Sequence, residues 1–397
     1  MKKTTLSLIA VMALGTNLMA GGDIAPVEPV VDPVVETSNW DFNGQAVAYY
    51  QTSDAFGYSD IGSGKSTAGN LGLQLSTKGD LGYGFGAGAE LTSVFRSTDF
   101  SDLTMIDADG QGDSTSAAVT KAYLTYGFGK TSIKVGRQEL PKNLSPFAFS
   151  EKWNMYSNTF EAATIVNSDI ENTTIVGAFV KGANNYNDLG DFNDVSDDGV
   201  WMLTAQNKSI ENLVLTGTYY FADEMLPSMD ANILWGDAKY VVSDYNFGIQ
   251  GGYIFGDAVD NVETGAFGAK VGTAINGVNL DIAYSYVDNG LLGVNNLGTG
   301  IKTPLYTQMI SNQFNIASDA DTFKVGADVN AWGANFKAGY GYTSDNSDAS
   351  ADYQELDLIY TRKVGSVDLL AAYVYSDLDV ADTDGNNMVR VWGKYNF

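Results

Sequence analysis

The sequence predicts an all-β fold: a transmembrane, antiparallel, up-and-down β-barrel of about 18 strands, 16 being the nearest other count. Three observations carry that reading. Apolar and polar residues alternate with a period of two along most of the chain beyond Trp40. The segments between the alternating runs are by turns short and long. No apolar run after the first 20 residues reaches the ~18 residues that a spanning helix needs.

Composition agrees and removes other classes. Among 397 residues there are 44 Gly, 23 Tyr, no Cys and no His. Without Cys there is no disulfide framework, zinc ribbon or thiol chemistry. Without His there is no Ser-His-Asp or Cys-His triad, so the common hydrolytic mechanisms are excluded and no enzyme activity is expected. Lys+Arg of 22 against Asp+Glu of 48 repels phosphate backbones, so no nucleic-acid partner is expected.

The N-terminus is an address. Met1-Lys2-Lys3 is a short positive region, Thr4 to Leu18 is apolar, and Ala20 supplies the small residue of a cleavage site. Residues 1–20 read as a secretory signal peptide cleaved after Ala20, too short in its apolar part to span. Residues 21–38, with Pro26, Pro29 and Pro33, read as an extended periplasmic linker. The barrel is assigned to residues 39–397.

Strands follow in order. Leu71, Leu73 and Leu75 alternate with Gly72, Gln74 and Ser76; Phe85, Ala87, Ala89 and Leu91 with Gly86, Gly88 and Glu90. Leu280, Ile282, Tyr284 and Tyr286 repeat the pattern, as do Phe323, Val325 and Ala327, and then Leu369, Ala371 and Tyr373. Eight short connections are placed at 79–82, 127–130, 169–172, 208–212, 243–246, 275–277, 331–333 and 364–366. Nine longer polar segments lie between them, near 54–67, 97–116, 139–162, 182–200, 222–229, 256–265, 288–321, 343–351 and 377–387. Nine long and eight short connections in strict alternation give 18 strands, with short periplasmic turns and long extracellular loops. All seven Pro fall outside the strands, as a ladder that needs its N–H groups requires. Residues 163–180 and 201–209 alternate poorly.

The interior of a barrel this wide cannot be filled by side chains, so the apolar face must point outward into lipid. Tyr83, Tyr126, Phe128, Phe247, Phe336, Tyr395 and Phe397 flank short turns or the terminus, and Phe95, Phe255, Tyr286, Tyr342 and Tyr375 sit at the opposite strand ends. Two such girdles bound an apolar band. The closing strand places Val391, Tyr395 and Phe397 on one face and ends on an aromatic, which resembles the C-terminal signal read by the outer-membrane barrel-assembly machinery. The location expected is a bacterial outer membrane, with its lipid and lipopolysaccharide as partners.

The stretch Lys134–Gly182, with the Gly-Arg-Gln triplet at 136–138 and the Ile170-Glu171-Asn172-Thr173 turn, resembles the Opr-type, OprD-like porins of the Campylobacterota. That resemblance implies an 18-stranded, often trimeric, general diffusion channel, and hence a homotrimer. One departure is plain: relatives that select anionic substrates line the wall with an arginine ladder, and this chain has only Arg96, Arg137, Arg362 and Arg390.

The segment 139–162 holds Phe147, Phe149, Trp153, Tyr156 and Phe160, too many aromatics to leave in water. Folding into the lumen resolves this, and is favoured over packing against a neighbouring protomer. Glu139, Lys142, Glu151, Lys152 and Glu161 then become candidates for the pore constriction, where opposed charges set ion preference. Candidate wall residues on the inward phase are Lys78, Arg96, Lys121, Lys134, Lys270, Lys324, Lys337, Arg390 and Lys394, against Glu90, Asp281, Asp328, Glu355, Asp357 and Asp368. The wall is nearly balanced, so the excess acid belongs to the loops, where it concentrates cations. A mild cation preference is expected.

Asp107, Asp109 and Asp113 begin like a calcium loop, but Ala118 stands where the bidentate Glu should be. A solvated loop, or one bridged to lipopolysaccharide by loosely bound calcium, is favoured over a built metal site, and no other cofactor is expected. Residues 288–321 are rich in Leu, Ile, Met and Tyr, suiting a second inward plug or a trimer contact. Together these features predict a porin that passes ions and small hydrophilic solutes passively. The alternatives are a substrate-selective OprD-like channel or a surface structural or adhesive barrel.

Overall fold

The computed structural model describes residues 40–56, 60–63, 66–96, 115–185, 188–226, 229–256, 263–346, 351–379 and 384–397. The segments read as signal peptide and linker and the calcium candidate Asp107, Asp109 and Asp113 lie outside the described residues. The barrel strands are β1 (Asp41–Ser53), β2 (Thr67–Gly82), β3 (Phe85–Arg96), β4 (Thr115–Phe128), β5 (Thr131–Gln138) and β6 (Phe160–Asn167). Next come β7 (Thr173–Ala183), β8 (Val200–Asn207), β9 (Leu213–Leu226), β10 (Met229–Val242), β11 (Tyr245–Gly256) and β12 (Thr264–Ile275). The circuit ends with β13 (Val278–Val287), β14 (Ala320–Ala331), β15 (Ala334–Asp345), β16 (Tyr353–Val364), β17 (Val367–Leu378) and β18 (Asn386–Asn396). A two-residue strand, Asn193–Asp194, pairs with the end of β7 within a long loop.

Each strand pairs antiparallel with its neighbours in sequence, and β18 returns to β1. The result is a closed 18-stranded antiparallel barrel. Closure leaves no ladder edge, the condition for a sheet to sit in hydrocarbon. At the seam the Gly44 N–H donates to the Phe397 carbonyl at 2.7 Å and the Phe397 N–H to the Gly44 carbonyl at 2.9 Å. The Phe397 ring lies over Gly44, where a Cβ would come within 2.2 Å of it. Val391, Tyr395 and Phe397 all face outward, with the last two rings stacked at 5.7 Å.

The turns explain the register. Tyr83-Gly84, Asn276-Gly277 and Trp332-Gly333 each have positive φ at both residues, from 51° to 82°. This is the two-residue hairpin geometry that matches strand twist. The first short turn lies at 83–84 rather than 79–82, because β2 runs on through an irregular register between Asp80 and Gly82. Two five-residue turns share one design. Asn167 and Asn207 accept from the N–H two residues ahead, at 3.1 Å each, and Asn172 and Asn212 then take positive φ. At the other end β9 extends to Leu226 and β10 begins at Met229, so 222–229 is not a long loop but largely strand.

Outward residues are apolar along the strands, including Leu71, Leu75, Leu91, Leu124, Ile249 and Ile282. Tyr83 and Trp332 stand exposed at the short-turn end. The inward face differs by sector, and two long segments occupy the lumen: loop 139–159, and loop 288–319 with its short helix α1 (Gln313–Ile316).

Candidate functional site

The lumen is partitioned by these two loops, and their sequences show why. Loop 139–159 turns back on itself. Leu140 N–H donates to the Ser150 hydroxyl at 3.1 Å and Ser150 N–H to the Leu140 carbonyl at 2.9 Å. This throws Phe147 into the barrel, where it is fully buried against Tyr220 and Trp235 at 5.9 and 5.2 Å, both edge-on. The Tyr220 hydroxyl accepts from the Phe147 N–H at 3.1 Å. Beneath them, Val176, Ala178, Val180, Val200, Met202 and Ile233 give the wall from β7 to β10 an apolar inner face.

The second loop docks on the first. Leu297 N–H donates to the Phe147 carbonyl at 2.6 Å, and Lys142 Nζ to the Thr303 carbonyl at 2.8 Å. Asn296 Nδ2 donates to both the Phe149 carbonyl and Glu151 Oε1 at 2.8 Å. Lys302, 3% exposed, donates to the Met309 carbonyl at 3.1 Å and to Gln313 Oε1 at 3.0 Å. Burial brings its ammonium down to about 8, against the upward pull of Glu151, Glu355 and Asp357. The far end of the loop is fixed to β16: Ser311 N–H donates to Glu355 at 2.8 Å and Ile310 N–H to Asp357 at 3.2 Å. Lys324 of β14 donates to the Tyr306 carbonyl at 2.7 Å. Wall glycines make room for this, for a Cβ on Gly72 would meet Met155 at 2.3 Å and one on Gly341 would meet Met309 at 2.4 Å.

All the sequence-predicted wall charges sit on the inward phase of their strands, but they do different things. Lys121 bridges Glu90 at 3.0 Å and Glu139 at 2.7 Å, and Lys152 approaches Glu139 at 4.0 Å, forming a chain of four charges. Burial pushes the Glu139 carboxyl up, but Lys121, then Lys152 and Lys134, hold it below the ordinary carboxylate range. Arg390 donates to Gln51 at 2.7 Å and to the Trp153 carbonyl at 3.1 Å; Lys394 reaches the Asn154 carbonyl at 3.3 Å. Lys134 lies 3.8 Å from the Tyr123 ring and Lys270 4.5 Å from that of Tyr306. Lys337 pairs with Asp328 at 3.3 Å. Asp281, Lys324, Glu355 and Asp357 are buried, whereas Lys78 is exposed and Arg96 half-buried near the opposite ends of β2 and β3.

Two constriction candidates are corrected. Glu161 belongs to β6 and faces outward with its cross-strand partner Arg137, which it bridges at 2.9 Å beneath the Phe192 ring. It shares the phase of Ile165, which faces lipid, because the loop ends at Thr159 and the strand parity begins one residue later. Glu151 is 5% exposed and serves as an acceptor between the two loops rather than facing a channel. Glu139, Lys142 and Lys152 remain on the lumen side. Sequence reasoning missed Lys302, and also Asp237 and Lys239, an inward pair on β10 at 3.2 Å. The apolar content of 288–321 was the available signal for the first.

On the short-turn side of the loops lies a cavity of about 700 Å³. Lys152, Asn335, Lys363, Asp368, Trp392 and Lys394 line it. Among the described residues no group of three Asp or Glu is disposed to hold a metal ion.

A closed barrel with an apolar exterior and a charged, loop-divided interior has the build of an outer-membrane channel. No family model matches the chain and no curated protein matches it. Solved structures do. OpdK of Pseudomonas aeruginosa, solved with vanillate, aligns with a TM-score of 0.74 at 13% identity, covering 90% of this chain and 98% of that one. OccAB3 of Acinetobacter baumannii gives 0.74 at 14%, covering 91% and 100%. OccK8 (OprE) of Pseudomonas aeruginosa gives 0.73 at 12%, covering 90% and 98%. At these identities the likeness is one of fold: the chain has the OprD/Occ porin fold over nearly its whole length. These three come from Pseudomonas and Acinetobacter and carry no support for an origin in the Campylobacterota.

Proposed function

We propose that the chain is an outer-membrane porin, a passive diffusion channel for ions and small hydrophilic solutes. The observation that carries this is the lysine-bearing cavity of about 700 Å³ left at the short-turn end of an otherwise loop-packed barrel of this fold. No reaction is assigned, since the lumen holds neither His nor Cys. The signal peptide, cleaved after Ala20, delivers the chain to the periplasm, and Val391, Tyr395 and Phe397 present the assembly signal.

The extracellular rim is acidic, whereas the interior mixes both signs. Asp188, Asp191, Asp194, Asp197 and Asp198 crowd one long loop, while Lys121, Lys152, Lys363 and Lys394 face the lumen. The acidic mouth concentrates cations at low ionic strength, where the Debye length is long, and is screened at 1 M salt. The mild cation preference is therefore a low-salt property. Purified protein in a planar bilayer under a KCl gradient should give a reversal potential favouring K⁺ at about 50 mM, with the preference shrinking toward zero at about 1 M. Absence of stepwise current from folded protein would overturn the porin reading. Steps occurring in threes would support the homotrimer, and single steps a monomer.

One observation favours a substrate-selective channel as a second reading. The cluster Lys152, Lys363 and Lys394 could hold a carboxylate, and OpdK was solved with vanillate. Saturable block of the current by a small carboxylate, lost in Lys152→Ala, would support it.

A further inference from the structure

The cavity of about 700 Å³ at the short-turn end has an unbalanced lining. Lys152, Arg362, Lys363 and Lys394 border it, and Asp368 is the one carboxylate among its lining residues. Asp368 is already engaged by Lys363 at 3.3 Å and by Asn396 Nδ2 at 2.7 Å. Lys394 meets two uncharged partners, the Asn154 carbonyl at 3.3 Å and the Trp392 ring at 4.6 Å. Lys152 stands 4.0 Å from Glu139, which Lys121 holds more closely at 2.7 Å. Surplus positive charge in a partly enclosed space attracts an anion. The lining also presents hydrocarbon in Trp332, Leu369 and Trp392, and Trp332 is 88% exposed.

The chain carries a complement to that lining. Residues 21–38 hold Asp23, Glu28, Asp32 and Glu36 and no Lys or Arg, with Val and Pro between the acids. Three Pro in such a stretch favour a polyproline II course, which costs little entropy to order and suits aromatic surfaces. The segment also joins the barrel at the right end. The Trp40 ring lies over Gly79 of β2, where a Cβ would meet it at 2.4 Å, and β1 is the neighbour of β18, which carries Lys394. The cavity is lined from β14 to β18. From β1 to β16 is three strands, or about 15 Å of wall. Residues 21–38 in a polyproline II course reach about 55 Å.

We propose that residues 21–38 dock in this cavity as a tethered anionic plug, their carboxylates on Lys152, Lys363 and Lys394 and their Val and Pro side chains on Trp332 and Trp392. The plug competes with any small carboxylate drawn to the same lysines, and salt releases it. This goes beyond the channel reading, and its test reads no current. The chain has no Cys, so a pair can be placed without background. Val30→Cys is combined with Thr361→Cys or with Thr125→Cys in the full-length folded protein. The two Thr are matched: each faces inward, half-buried, three residues before the short-turn end of its strand and three strands from β1, in opposite directions. Thr361 lines the cavity and Thr125 does not. Asn335→Cys, its cross-strand neighbour in the same lining, replaces Thr361→Cys if that variant fails to fold. Intact mass shows whether the chain begins at Gly21, so a failure of the proposed cleavage is read separately. With copper–phenanthroline as oxidant at about 50 mM salt, linkage to position 361 should form about tenfold faster than to 125, since docking raises the effective concentration. The two rates should converge at about 1 M salt. They should also converge when Asp23→Asn, Glu28→Gln, Asp32→Asn and Glu36→Gln are combined. Equal rates at low salt would overturn the docking and leave the cavity to free solutes. A preference for position 361 that survives in the amide variant would overturn the assignment to charge.

Discussion

The same pair of loops is held by two sectors of the barrel through different physics. From β6 to β11 the inner wall is mainly apolar, the Asp237–Lys239 pair of β10 excepted, and Phe147, Leu144, Leu305 and Val294 pack against Val180, Met202, Tyr220 and Trp235. From β14 through β18 and on to β4 the wall adds charge to an apolar contact: Trp153, Met155, Tyr156 and Ile310 pack on Tyr49, Ile359, Leu370 and Trp392, while Lys324, Glu355, Asp357, Arg390, Lys394 and Lys121 reach loop backbone or loop carboxylates. Burial of hydrocarbon is indifferent to pH and salt over the range where carboxylates titrate, whereas hydrogen bonds to ionised groups are not. Apolar contacts on both sides therefore fix where the loops sit, and the charged sector decides what charge the lumen presents.

The sharpest way to test that division is to weaken the sectors one at a time. Phe147→Ala removes a fully buried ring and should cost about 3–5 kcal/mol, releasing loop 139–159 to protease without sensitivity to salt. Lys302→Ala strips donors from the Met309 and Ile310 carbonyls and should cost about 2–3 kcal/mol. Hydrogen exchange should then rise in residues 305–312 and not in the strands. An equal rise across β6–β9 would break the comparison.

Acid should act mainly on the charged sector, where most of the carboxylates that hold the loops lie. Glu139 is held below its ordinary value of 4.5, so its contribution is present above that value and is lost as pH falls through the depressed one. Loop 139–159 should stay protected from pH 7 to about 4.5 and loosen below it, with Glu139→Gln weakening that pH dependence. The smallest effect is expected at the Lys363–Asp368 pair, where Lys363 is 68% exposed. Lys363→Ala should change unfolding free energy by about 0.5 kcal/mol or less.

The two sectors also account for what the sequence made legible. Strands with a polar inner face, such as β3, β13 and β16, announce their phase by alternation. The stretches 163–180 and 201–209 alternate poorly because both faces are apolar there: Trp201 and Leu203 face lipid while Val200 and Met202 face the loops. The strand count was readable from the connections all the same, since turn chemistry is local. Inward charge was readable by parity, but not whether a loop covers it: Glu355 and Asp357 are on the predicted phase and are 1% exposed beneath residues 310–311. Glu161 was misplaced because a loop-end residue carries no parity of its own. The apolar run in 288–321 left plug and protomer contact open; Val294, Leu305, Met309 and Ile310 are buried in the lumen, while Leu291 and Phe314 are exposed.

The proposed channel includes the cavity of about 700 Å³ that Lys152 of loop 139–159 lines, and conduction through it can be tested directly. The chain contains no Cys, so one can be introduced without background. Lys152→Cys, in single channels, should lose current when a bulky water-soluble thiol reagent is added. Ala89→Cys on the lipid face should not. Undiminished current from Lys152→Cys channels shown by mass spectrometry to carry the label would contradict the account.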